Sequence, residues 1–111
     1  MGLTRYCLAC DLKDNPELIA EYIQLHQKVW PEILESIKES GIEDMEIFNI
    51  GNRLFMIMEV NDTFSFERKT EMDANNPKVQ EWENFMWKFQ QELPMARPGE
   101  KWILLDSIFR L

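Results

Sequence analysis

The chain has 111 residues, 45% hydrophobic and 29% charged, which fits one compact domain over residues 1–111 and excludes a disordered polypeptide. A formal charge of −8 leaves no basic face for DNA, RNA or an anionic membrane surface. No apolar run approaches the roughly 20 residues that span a bilayer, and Met-Gly-Leu-Thr-Arg-Tyr has no signal-peptide core, so the expected compartment is the cytoplasm.

Thr4 to Leu12 alternates as a strand, with Tyr6, Leu8, Cys10 and Leu12 on one face and Cys7 and Ala9 on the other. Cys7 and Cys10 form a C-x-x-C, but residues three apart on a strand point to opposite sides, so the thiols diverge. With a single histidine and no second cysteine pair, a zinc site lacks ligands. Both cysteines read as small buried hydrophobes, and no metal is expected.

Asn15–Pro16 opens a helix, with Asn15 as N-cap and Pro16 at the first helical position. Leu18, Tyr22, Leu25, Val29, Ile33 and Ile37 hold the helical period as far as Ser40, and Gly41 is placed to cap the C-terminus. Pro31 predicts a kink, because it cannot donate to the Gln27 carbonyl. Within this helix Tyr22, His26 and Trp30 follow at i, i+4 and i+8, so a phenol, the only imidazole and an indole share one stripe.

Ile42–Ile50 and Leu54–Val60 read as strands joined by a Gly51–Asn52–Arg53 hairpin. Asn61–Asp62–Thr63 is expected to cap a short helix ending near Met72. Asn75–Asn76–Pro77 opens another running to about Glu92, with Trp82, Phe85, Met86, Phe89 and Leu93 inward. Pro94 and Pro98–Gly99 make a loop, and Lys101 to Phe109 is the last strand.

The order is βαββαβ with the second helix in two pieces. That predicts an α+β, ferredoxin-like domain: a four-stranded antiparallel sheet with helices on one face. Both faces of its strands are apolar, and the helices cover only one. A second copy of the chain is therefore expected on the other, giving a homodimer through the sheet face.

Groups able to carry a proton near neutral pH are few. His26 can both donate and accept, and Tyr22 lies one turn before it. Trp82, Phe85 and Trp87 offer flat apolar surface for the C–H patches of a sugar. The sequence has no Gly-rich phosphate loop, nucleophile elbow or H-E-x-x-H, and no carboxylate pair rises above its 20 acidic residues. One histidine beside an aromatic pocket suits cofactor-free proton chemistry such as interconversion of sugar anomers. That reaction removes a proton from the anomeric hydroxyl and delivers one to the ring oxygen.

The segment E-Y-x-x-x-H-x-x-x-W-P-E at 21–32, then Gly41, Arg53–Leu54–Phe55, Val79–Gln80–Glu81–Trp82 and the closing Ile108–Phe109–Arg110–Leu111, resembles the L-rhamnose mutarotase family along nearly the whole chain. The resemblance implies a dimeric α/β-barrel of ferredoxin-like subunits that exchanges the anomers of a 6-deoxy-L-hexose without a cofactor. By it His26 holds the position of the catalytic acid/base and Tyr22 that of a substrate-contacting tyrosine. Trp82 is the first of two adjacent tryptophans lining the sugar pocket.

Two positions depart from the rhamnose enzymes. Glu83 stands where they carry the second tryptophan, and Met45 where they carry a tyrosine on the second strand. Both positions are expected to touch the ligand, so the sugar is either L-rhamnose or L-fucose. Glu83 either binds a hydroxyl or turns outward while Trp87 fills the space. Two other readings fit the same fold: a cofactor-free monooxygenase and a non-catalytic small-ligand-binding dimer.

Overall fold

Nine residues, β1 (Thr4–Leu12), form the middle of an antiparallel sheet in the computed structural model, which describes residues 2–111. β3 (Arg53–Val60) pairs with β1 from Thr4 opposite Val60 to Asp11 opposite Arg53, and β2 (Ile42–Ile50) adds outside β3. The alternation read from sequence sets the faces. Leu8, Cys10 and Leu12 are buried beneath the helices together with Leu54, Met56 and Met58.

The other edge of β1 carries two short strands, β4 (Gln90–Gln91) opposite Asp11 and Leu12, and β5 (Ile103–Leu104) opposite Leu8 and Ala9. The sheet thus has five strands, not the expected four, in the order β2-β3-β1-β4 with β5 also on β1. Both short strands run antiparallel to β1, so they are two pieces of one strand position. The segment between them contains Pro94 and Pro98–Gly99, which cannot sustain a ladder, and the chain loops out before it rejoins. The expected strand from Lys101 to Phe109 shrinks to β5 and one further bond, from the Leu105 N–H to the Cys7 carbonyl at 2.8 Å.

The long first helix is broken, not kinked. α1 (Pro16–Leu25) ends with His26 as its C-cap, and α2 (Pro31–Glu39) starts afresh with Pro31 in its first turn. A proline disfavours the helical conformation of the residue before it, and Trp30 accordingly sits at φ −56°, ψ 135°. Gly41, at φ +102°, turns the chain out of α2 into β2, and a Cβ there would meet Thr63 Oγ1 at 2.7 Å.

α3 (Phe66–Ala74) takes Ser65 as its N-cap, not the Asn61–Thr63 cluster. Asn61 Oδ1 is spent on the Thr63 N–H and hydroxyl in a local turn. α4 (Pro77–Met86) is capped by Asn76 as expected but stops at Met86 rather than Glu92. The chain turns there so that Phe89 can be fully buried and its carbonyl can accept from the Lys13 N–H at 2.8 Å. Gln90 and Gln91 then join the sheet.

Trp82, Met86 and Phe89 pack with Tyr22, Ile33 and Leu54 into the main core, on the helix side of the sheet. On the opposite face Phe48 and Phe55 stand directly across from one another, 48% and 37% exposed. That face is apolar and uncovered within the protomer.

Candidate active site

A cavity of about 1010 Å³ opens between the helices and β2, and all five residues singled out from sequence lie on its wall. Tyr22 and His26 come from the end of α1, Met45 from β2, and Trp82 and Glu83 from α4. The space suffices for a monosaccharide.

His26 is half-buried, and its Nδ1 lies 2.8 Å from the Tyr22 carbonyl oxygen. A carbonyl can only accept, so Nδ1 carries the hydrogen and Nε2 keeps its lone pair. Burial pulls the imidazole pKa below its usual 6.5, and the bond to the Tyr22 carbonyl only partly offsets this. His26 is therefore a neutral base at pH 7. The break before Pro31 matters here. It ends α1 at His26 and frees the ring from a continuous helical face.

Aromatic rings fix the imidazole in place. The Tyr22 ring centroid is 4.2 Å from it, and Trp82 meets it edge-on at 5.7 Å. The predicted stripe is completed by tertiary contact and not by helix, since Trp30 packs edge-on against Trp82 at 4.9 Å. Tyr22 is 3% exposed, and its hydroxyl accepts from Gln90 Nε2 at 3.1 Å. Burial pushes the phenol pKa well above its ordinary value, and the Gln90 bond opposes that.

Met45 is half-buried opposite Met58 on the face of β2 turned to the helices. Glu83 is neither buried nor turned away. Its Oε2 lies 3.8 Å from Lys101 Nζ on the cavity wall. Trp87 does not fill that space; the Lys101 ammonium lies over its ring at 5.1 Å.

Sequence reasoning missed two polar residues on the wall. Gln90 was placed in a helix, yet it sits in β4, 2% exposed, with Oε1 buried and lacking a hydrogen-bond partner. Lys101 stands where the sequence pattern predicts the start of a strand. Its flanks, Pro98–Gly99 and Trp102, gave no sign that its amine would point inward. Both cysteines are free, and burial pushes the Cys10 thiol up to about 12.

A family model described as L-rhamnose mutarotase matches residues 5–111. An L-fucose mutarotase of Xanthomonas campestris pv. campestris is 42% identical, over 100% of this chain and 90% of its own length. The crystal structure of L-rhamnose mutarotase from Formosa agariphila superposes with a TM-score of 0.70 at 26% identity, covering 97% of this chain and 98% of that one. A dimeric ferredoxin-like protein from an uncultured marine organism shares the fold alone, with a TM-score of 0.54 at 13% identity over 100% of this chain and 94% of that one. With its ferredoxin-like sheet and a family match over nearly its entire length, the chain belongs to the L-rhamnose mutarotase family of carbohydrate isomerases.

Proposed function

We propose that this protein interconverts the α and β anomers of a 6-deoxy-L-hexose, with L-fucose favoured over L-rhamnose, and that His26 moves the proton at the anomeric hydroxyl. The observation that carries this is the Nδ1 contact to the Tyr22 carbonyl, which supports a bare Nε2 on the wall of a sugar-sized cavity. His26 Nε2 takes the O1 proton as the C1–O5 bond opens, and gives it back to O1 when the ring closes on the other face of the carbonyl. Trp82 and the Tyr22 ring supply the apolar walls, while Glu83 offers an acceptor for sugar hydroxyls.

The preference for L-fucose rests on Met45 and Glu83, where the rhamnose enzymes carry aromatic residues, and on the 42% identity to a relative named for that sugar. Magnetisation transfer between the anomeric NMR signals tests the reading. Native protein should accelerate exchange of L-fucose more than of L-rhamnose, and no acceleration of either sugar contradicts it.

A further inference from the structure

Opening a pyranose requires two proton transfers, one away from O1 and one onto the ring oxygen. His26, neutral with Nε2 bare, is equipped for the first only. The Tyr22 phenol is a poor source for the second, because it is buried and burial raises its pKa. Lys69 is already engaged by the Asp73 carboxylate at 2.8 Å.

Lys101 differs. Its side chain is 13% exposed, and its Nζ donates to the Glu83 carbonyl oxygen at 3.3 Å and lies 3.8 Å from the Glu83 carboxylate. The Trp87 ring lies 5.1 Å beneath it. These contacts leave an N–H for a ligand oxygen. Glu83 directly follows Trp82, the residue that packs edge-on against His26, so the amine and the imidazole belong to one stretch of the same wall.

We propose that Lys101 is the general acid that protonates the ring oxygen, working from the same wall as the His26 base. This rests on the mutarotase reading and adds the second catalytic group to it. As C1–O5 breaks, a proton passes from Lys101 Nζ to O5 while His26 Nε2 takes the O1 proton, and C1=O1 forms. After rotation about C1–C2, O5 attacks C1 again. Its proton returns to the Lys101 amine, and the imidazolium returns the other to O1, so both residues end as they began.

Burial pulls the Lys101 ammonium below the ordinary lysine value, which makes it a stronger acid, although Glu83 from α4 and Cys10 from β1 both oppose the shift. The rate should therefore fall as pH rises through the pKa of Lys101, on a limb lying below the usual 10.5.

The test is NMR anomer exchange with Lys101→Met and Lys101→Arg, each checked for folding by thermal unfolding. Arginine keeps the charge and the ion pair but does not release a proton near neutral pH. Each variant should lose roughly 100-fold in kcat with little change in KM. The alkaline limb present in the native protein should disappear in both. Near-native kcat for Lys101→Arg, a raised KM at unchanged kcat, or a native profile flat to the alkaline side would overturn the assignment. If His26→Ala remains slow in that case, only the role of Lys101 fails. If native protein shows no exchange, the mutarotase reading itself fails.

Discussion

His26 Nδ1 and the Tyr22 carbonyl oxygen, 2.8 Å apart across one helical turn, decide which nitrogen of the only imidazole keeps its lone pair. The partner is backbone, so the tautomer is set by helix geometry rather than by a side chain that a substitution would remove. Because burial lowers the pKa of His26, the neutral base persists below pH 6.5. Anomer exchange should hold steady from neutrality to below that value and then decline as the ring is protonated. A rate profile, with ¹⁵N NMR of the ring nitrogens over the same range, checks this. An acid limb centred above 6.5 contradicts it.

Tyr22→Phe separates the two tasks of that tyrosine. Its carbonyl still holds Nδ1, but the buried amide of Gln90, whose Oε1 already lacks a partner, loses its other contact as well. The expected cost is about 1–3 kcal/mol of stability, read by urea denaturation. The loss in kcat should be smaller than for removal of the imidazole.

The sugar preference should follow Met45 and Glu83. Both line the cavity, and the resemblance to the rhamnose enzymes implies that both replace aromatic residues. Met45→Tyr combined with Glu83→Trp should raise the ratio of L-rhamnose to L-fucose exchange by roughly tenfold or more, the scale on which a few pocket contacts discriminate. An unchanged ratio would remove these positions from sugar recognition.

Phe48 and Phe55 face each other on the uncovered side of the sheet, and Ile108 and Phe109 near the C-terminus are 95% and 78% exposed. Apolar surface of this kind is expected to be covered by a second copy. Sedimentation should give twice the 13.3 kDa of one chain, and Phe55→Lys should shift the equilibrium to monomer. A native monomer at micromolar concentration contradicts the dimer.

The architecture was legible where local chemistry decides it. Asn15–Pro16 and Asn76–Pro77 cap α1 and α4 because their side chains satisfy free N–H groups, whatever the rest of the fold does. The β1 alternation survived because a shift of register would turn Leu8, Cys10 and Leu12 to the wrong face. What was misread depends on distant partners. The end of α4, the two-residue β4 and the shortened last strand are set by the edge of β1, and no pattern within residues 87–104 records that edge. The five expected site residues do line one cavity, since spacing on α1 and α4 places Tyr22, His26, Trp82 and Glu83, and strand alternation turns Met45 on β2 toward the helices. Gln90 reaches it from a two-residue strand and Lys101 from an irregular segment, where periodicity has nothing to say.

The most direct measurement is the rate of anomer exchange catalysed by His26→Ala against native protein, on L-fucose and L-rhamnose at pH 7. A base whose free nitrogen does the work predicts a loss of roughly 100-fold or more, with the fold intact by circular dichroism. A folded His26→Ala protein that exchanges both sugars at the native rate would contradict the account.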